Sequence, residues 1–426
     1  MFFGLIMIKH ELIGHSCETA VQTLLKDTNK LAQPICYNNF FDSTFLQEND
    51  IKNALNIAIK QKAKEYFRVW IDKNERNDMP IKIIHTPINE DESLELWTKR
   101  IFDNQKFCIF FNRAEQFNDS LTTNIANILK PLYESCGMAM GGTSMVFFIG
   151  NYGYTPSGMH QDPEDNTIFH FHLGPGTKKM FTMEPSKFNS ITNSKDTLYD
   201  FEKILKHADC FILKSNSFLS MPAEYYHIGY TEDFSIGVGV VLTDATNIQI
   251  TQDIFKNFGY EGISRVKKVY KLDSVKLDMS LDLFTSNAFN QLSLNQKNKA
   301  KTFEEIVKSQ IEDRHLRMLS NLAWSFPPLF KESSNYELNG LKIQLKIPYK
   351  IYYKRVDLET MSIFMRGREL VAKYNEILEH LIDKINLGNK LLISELIQPY
   401  SEVVNKKLAL SFISQSIEHS AVNLMV

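Results

Sequence analysis

The sequence predicts a mixed α+β protein built around a double-stranded β-helix, the jelly-roll barrel of cupins, and three observations carry that expectation. From Ser144 to Leu242 the chain is a succession of short apolar runs punctuated by Gly, Pro, Asn and Asp, the pattern of a double-sheet jelly roll. Inside that stretch stand His160-Gln161-Asp162 and, much later, His227. Beyond about residue 265 the chain turns helical and charged, as a separate module would.

A length of 426 residues exceeds one ordinary core and implies two or three packed units. The boundaries fall at an N-terminal arm (1–37), the jelly-roll domain (38–264), a helical segment (265–335) and a C-terminal module (336–426). In order, Ile51–Ala63 has helical spacing, while Phe67–Ile71 and Ile81–Ile84 read as strands. Phe107–Phe111 reads as a buried strand, and Ser120–Tyr133 as a helix ending before Gly137. The barrel runs are Met145–Ile149, Thr167–Leu173, Met180–Met183, Cys210–Leu213, Phe218–Met221 and Ser235–Leu242, with a helical pattern over Leu198–Lys206. Lys297–Ser325 reads as a charged helix stopped by Pro327-Pro328. Leu341–Tyr353 alternates strictly, with Leu341, Ile343, Leu345, Ile347, Tyr349, Ile351 and Tyr353 on one face. Val371–Ile385 carries a helical stripe, and shorter helices follow over Leu391–Ile397 and Val403–Ile417. Helices with a small strand element describe a winged-helix-like module.

Composition narrows the function classes. Forty-eight Lys and Arg stand against 50 Asp and Glu, a net charge of -2, so a whole-protein electrostatic grip on nucleic acid is not expected. The five cysteines (Cys17, Cys36, Cys108, Cys136, Cys210) lack C-x-x-C spacing and read as reduced thiols of an intracellular protein. The apolar opening Phe2–Ile8 is short and lacks a basic flank, a poor signal peptide. Nothing approaches the roughly 18 apolar residues of a membrane span. The expectation is a cytoplasmic protein with no membrane partner.

The chemistry is carried by His160, Asp162 and His227. Residues i and i+2 of a strand point to one face, so His160 and Asp162 reach one metal together. A distant His227 completes the 2-His-1-carboxylate facial triad, the ligand set of non-haem Fe(II) oxygenases. Two rival patterns exist. His207-Ala208-Asp209 is a second H-x-D, but it falls where a helical pattern ends and a cationic side chain is favoured anyway. His170-Phe171-His172 matches the H-x-H of many cupins, yet Leu173–Lys179 lacks the Glu that should follow, so two histidines lining the barrel is the plainer reading.

Three segments together resemble the JmjC/cupin-like 2-oxoglutarate oxygenases: Gly158–Asp162, the G-x-K turn Gly176-Thr177-Lys178, and Met221-Pro222-Ala223-Glu224-Tyr225-Tyr226-His227. Within that family the order and spacing are most similar to the ribosomal-oxygenase type, which hydroxylates protein side chains. The chain departs from the family at Asn216-Ser217, where Gly-Asp is usual, and in a longer hairpin after Asp162. The resemblance implies Fe(II) on His160, Asp162 and His227, with 2-oxoglutarate and O2 as cosubstrates. It implies a lysine for the distal carboxylate of 2-oxoglutarate, either Lys178 by the G-x-K count or Lys179 one position on. Ser157 and Asn166 stand where related enzymes assist the cosubstrate, and both also suit turns. The implied reaction is hydroxylation of a side chain in a peptide or protein, with decarboxylation of 2-oxoglutarate to succinate. The helical segment implies a homodimer. Two other readings stay open: an oxygenase tailoring a free amino acid or small natural product, and a non-catalytic cupin regulator with a DNA-binding winged helix. Lys342, Lys346, Lys350 and Lys354 suggest a basic strip for an acidic peptide. A solvated face guarding an edge strand is the plainer account, because 336–426 holds 12 Lys and Arg against 10 Asp and Glu.

Overall fold

Alternation decides how this chain layers. In the strand Asn166–Pro175, Phe169 and Phe171 point one way and Ile168, His170 and His172 the other, so the strand is covered on both faces by different partners. The computed structural model describes residues 16–40, 44–163, 166–193, 196–260, 303–329, 338, 340–400 and 402–425. The first strands are β1 (Ile35–Asn38), β2 (Phe67–Ile71), β3 (Asn74–Glu75), β4 (Phe107–Asn112), β5 (Gly142–Gly150) and β6 (Gly153–Tyr154). They are followed by β7 (Asn166–Pro175), β8 (Lys178–Met183), β9 (Asp209–Leu213), β10 (Ser217–Pro222), β11 (Tyr226–Thr231) and β12 (Ser235–Thr243).

These strands form two sheets. One runs β1-β10-β7-β12-β5-β4-β2-β3 and the other β6-β11-β8-β9. Every pair around the site is antiparallel. The sheets face each other: Met180, Phe211 and Leu213 of the smaller pack with Cys36, Leu219 and Met221 of the larger. The outer face of the large sheet carries Phe147, Phe169, Phe171, Phe218, Val238 and Val240. It packs on the helix Asp119–Cys136 through Leu121, Ile125 and Leu129. That helix starts where Asn118 accepts a hydrogen bond from Leu121 N (3.0 Å) and ends at Gly137, whose φ is 92°. Each such large apolar side chain contributes roughly 1.5–3 kcal/mol on burial.

The C-terminal part is mixed α+β as well. Strands β13 (Lys342–Leu345), β17 (Leu391–Leu392) and β18 (Val422–Met425) form one sheet, β14 (Tyr352–Arg355), β15 (Thr360–Met365) and β16 (Arg368–Lys373) another. Helices Glu376–Asn386, Ile393–Ile397 and Val403–Glu418 close a core of Ile343, Ile363, Leu381, Ile413 and their neighbours. By compactness residues 1–244 and 318–426 form one unit and 245–317 a second. The second holds the helix Asn247–Tyr260 and most of the helix Phe303–Ser320. The expected N-terminal residues 1–15 and the stretch 261–302 lie outside the described residues.

Several elements differ from expectation, each for a local reason. Ile81–Ile84 lies in the helix Met79–Ile84, where Pro80 occupies the first turn and needs no donor partner. Leu198–Lys206 is not a regular helix; only a 3-10 turn, Leu205–His207, overlaps its end. Leu341–Tyr353 is two strands in different sheets, because Pro348 has no N–H to continue the ladder; Ile347 is 57% exposed while Tyr349 is buried. Val371 lies on β16 and not on the following helix, which begins at Asn375, a side chain accepting from Ile377 N (2.9 Å). The lysines expected along one solvated face are split as well: Lys346, its side chain 12% exposed, pairs with Asp119.

Candidate metal centre

The centre is assembled by a single backbone bridge between distant segments. His160 and His227 exchange hydrogen bonds, His160 N to His227 O at 3.1 Å and His227 N to His160 O at 2.7 Å. His227 lies on β11, opposite Thr182 of β8. His160 makes only that isolated bridge and Asp162 follows it outside any strand, so H-x-D is not on a regular strand as expected. Gly158 sets up the approach. Its φ is +72°, and a Cβ there would come within 2.9 Å of Leu198 O, so only glycine fits.

The side chains converge. His160 Nε2 lies 3.9 Å from Asp162 Oδ1, and His227 Nε2 lies 3.6 Å from Asp162 Oδ2. The two imidazole centroids are 4.5 Å apart, and one ligand atom from each of the three residues lies within 4.8 Å of the others. Among the described residues it is the one group of three or more His, Cys, Asp and Glu so placed. Each imidazole is oriented by its other nitrogen. His160 Nδ1 bonds to Gly158 O at 3.0 Å and His227 Nδ1 to Tyr225 O at 3.2 Å. A carbonyl can only accept, so both Nδ1 atoms carry the proton and both Nε2 lone pairs are left toward the centre. Gln161 Nε2 ties the segments together by donating to Glu224 O at 3.0 Å. Burial, then the neighbouring His160, push His227 down to about 4, so it stays neutral, the form that binds metal. His160 and Asp162 remain about a quarter exposed, which leaves the centre reachable from solvent.

A buried cationic side chain lies between the sheets. Lys178 points inward and is 3% exposed; Lys179, the next residue, is on the solvent side with its ammonium 5.8 Å from the Tyr230 ring. The Lys178 ammonium stands 5.0 Å from the Phe148 centroid and 5.9 Å from that of Tyr152. Among the described residues it has no carboxylate partner within ion-pair distance. Burial pushes its pKa down to about 8. Among the described residues, Tyr152 OH, Thr182 Oγ1 and His170 Nε2 are buried polar atoms with no protein partner, as is Asn166 Oδ1 at the start of β7. Asn166 opens β7 on its inward face, and its carbonyl accepts from Ala223 N (2.8 Å). Ser157 sits in the turn closed by Gly158 N and Thr155 O (3.1 Å), with no side-chain bond of its own given by the fold. Sequence reasoning did not single out Tyr152 or Thr182. Thr182 had only the alternation of a short strand as its signal, and Tyr152 lies in the link between β5 and β6, where there is none. The rival His207 lies in its 3-10 turn away from the three ligand residues.

No family model and no curated protein matches this chain. Among solved structures, the Escherichia coli protein YcfD is similar: an X-ray structure at 12% identity and TM-score 0.46 covers 95% of this chain and 98% of that one. A YcfD structure described as a ribosomal oxygenase with cobalt and 2-oxoglutarate matches at 11% identity and TM-score 0.46, again with 95% and 98% covered. A third, described as the same ribosomal oxygenase, covers 100% of this chain and 99% of its own at 10% identity and TM-score 0.45. A likeness this distant says nothing of which residues act.

Proposed function

We propose that this chain is an Fe(II)/2-oxoglutarate-dependent dioxygenase that hydroxylates an amino-acid side chain within a peptide or protein, releasing succinate. The observation that carries the reading is the convergence of His160, Asp162 and His227 beside a buried, unpaired Lys178. Two imidazoles and one carboxylate are the donor set of non-haem Fe(II) oxygenases. The order β5-β12-β7-β10 in one sheet and β6-β11-β8-β9 in the other supports a double-stranded β-helix, whose strands alternate between two sheets.

Each residue has a task in that reading. His160 and His227 present Nε2 because Gly158 O and Tyr225 O hold their Nδ1–H groups. Asp162 supplies the negative charge that favours a divalent cation. Lys178 neutralises the distal carboxylate of 2-oxoglutarate, and Tyr152 and Thr182 offer hydroxyls in the same pocket. Met180, Leu219 and Met221 keep the interior apolar and exclude water. When bound, iron and 2-oxoglutarate supply the activation of O2; the chain supplies placement and choice of C–H bond.

The same reading takes residues 336–426 as a winged-helix-like platform for protein contacts, with nucleic acid not a partner. It takes 265–335 as a dimerisation segment of a cytoplasmic homodimer; light scattering after gel filtration checks the dimer. Among the described residues no helix is long and apolar enough to cross a membrane. The decisive experiment incubates candidate peptides with protein, Fe(II), ascorbate and 2-oxoglutarate and seeks a gain of one oxygen by mass spectrometry. His160→Ala and Asp162→Ala should lose substrate-dependent succinate formation while keeping the fold. Full turnover by either variant would sink the centre.

A further inference from the structure

One buried polar side chain in the barrel is used neither by the three-residue centre nor by the fold. His170 is 4% exposed and lies on β7 between Gly239 of β12 and Leu219 of β10. Its ring occupies the space that Gly237 leaves by having no side chain. A Cβ on Gly237 would stand 2.6 Å from His170 Cε1 and 2.8 Å from its Nε2. The imidazole centroid is 5.8 Å from that of Phe148, the ring that also takes the Lys178 ammonium at 5.0 Å. His170 Nε2 is buried with no hydrogen-bond partner.

Its neighbour shows the contrast. His172, 6.4 Å away ring to ring, donates from Nε2 to Gly176 O at 2.7 Å and so ties down the far end of the hairpin. His170 makes no such bond. An unmet buried polar group costs about 1–3 kcal/mol, and the apolar alternatives that fill such positions elsewhere in the barrel carry no such cost. Burial and then its neighbours Lys178, His172 and His227 all disfavour a charged ring, so it stands there as a neutral imidazole.

We propose that His170 is a second hydrogen-bond donor to the dicarboxylate that Lys178 holds, and that Gly237 is glycine so that this ring can lie against β12. The inference rests on the reading of the barrel as a 2-oxoglutarate site. His170 is a positioning and specificity residue there, facing the ligand from the sheet opposite Lys178.

The test is direct binding. Anaerobic protein loaded with Fe(II) is titrated with 2-oxoglutarate, and the metal-to-ligand charge-transfer absorption is read; metal affinity is measured separately. His170→Phe keeps an aromatic ring and removes the donor, and should weaken 2-oxoglutarate binding about 10- to 100-fold, the range of a hydrogen bond to a charged group. Metal affinity should be unchanged. His170→Gln restores a donor and should return binding to within about threefold of the natural protein. Gly237→Ala leaves His170 in place but displaces its ring, and should weaken binding in the same direction, so the inference stays testable if His170→Phe does not fold. Lys178→Met is the control for the site itself. If Lys178→Met abolishes binding while His170→Phe and Gly237→Ala leave it intact, the role of His170 is wrong and the site stands. An equal loss in His170→Gln and His170→Phe makes the ring mere packing and overturns the role too. If Lys178→Met binds normally, the 2-oxoglutarate reading itself fails.

Discussion

Two cationic side chains are buried almost equally in this molecule and provisioned in opposite ways. Arg366 is 1% exposed, at the seam between the C-terminal part and the helix Asp119–Cys136. Its guanidinium donates to Asp119 Oδ1 (2.7 Å), Asn321 Oδ1 (3.1 Å) and Ser420 O (3.2 Å), and its plane lies 3.6 Å from the Tyr349 ring centroid. Lys346 shares the same carboxylate. Burial alone would raise Asp119; the two cations overcome it and hold Asp119 below the usual carboxylate range. Lys178, 3% exposed, has two aromatic rings and, among the described residues, no anion. A buried charge that meets its partners inside the protein is architecture. A buried charge that lacks one is kept for something that arrives from outside.

The comparison breaks most sharply at Arg366. Arg366→Met leaves Asp119 buried with one cation in place of two, which should cost about 3–5 kcal/mol, read as a lower urea midpoint with unchanged slope. The hairpin turn Arg366-Gly367, both residues at positive φ, loses the contacts that hold it as well. Binding of 2-oxoglutarate by the folded fraction should not change. Lys178→Met should do the reverse: binding is lost and stability rises. Bringing its pKa from 10.5 to about 8 costs the fold on the order of 3 kcal/mol at neutral pH, at about 1.36 kcal/mol per pH unit. The sign follows from linkage. Between pH 8 and 10.5 the unfolded chain holds the lysine proton more than the native one, so this burden lifts as pH rises through that window. The stability advantage of Lys178→Met should therefore be full below pH 8 and shrink toward zero as pH rises to 10.5. Equal destabilisation by Arg366→Met and Lys178→Met would erase the distinction.

Those two sites were not equally legible in the sequence. His160, Asp162 and His227 stood out because two of them are two residues apart and the family-like segments contain all three. The sequence left Lys178 and Lys179 both open, because alternation says that the two face opposite ways but not which one faces inward. The seam was invisible, because Arg366 and Asp119 are 247 residues apart and no local pattern links them. The hairpin that carries Arg366 was missed for a related reason: Val371 and Tyr374 happen to extend the helical stripe of Ile377–Ile385 backwards. The short strand β6 escaped notice too, since two residues make no periodicity. His170 and His172 were read together as barrel-lining histidines; what separates them is one carbonyl, Gly176 O, that a sequence does not display.

A buried carboxyl group sharpens the rule from the acidic side. Glu115 is 1% exposed; its Oε2 accepts from Met145 N (2.9 Å) and its Oε1 has no partner. Nearby Arg113 spends its guanidinium on the Phe326 ring at 4.2 Å. Burial raises Glu115 to about 8, so it is held neutral and not paired. A raised carboxyl pKa means the native chain binds a proton that the unfolded chain has released, so stability falls as pH rises from about 4.5 to 8. Glu115→Gln should flatten that fall, raising the melting temperature at pH 8 by a few degrees and leaving it nearly unchanged at pH 4.5. A gain of the same size at both pH values would mean the carboxyl is not the titrating group.

The smallest expected effect is at Lys179, and it bears on the comparison because only one peptide bond separates it from Lys178. Strand alternation sends consecutive side chains to opposite faces, so two neighbouring lysines with identical chemistry meet different solvents. Lys179 keeps its ammonium in water beside Tyr230, where such a contact contributes about 0.5–1 kcal/mol at most. Lys179→Met should change stability by no more than about 0.5 kcal/mol and leave 2-oxoglutarate affinity as it was. Because Lys178→Met and Lys179→Met remove the same charge from the same strand, their difference isolates burial from net charge. A loss of affinity in Lys179→Met comparable to that in Lys178→Met would mean that long-range charge, and not the enclosed ammonium between Phe148 and Tyr152, draws the ligand in.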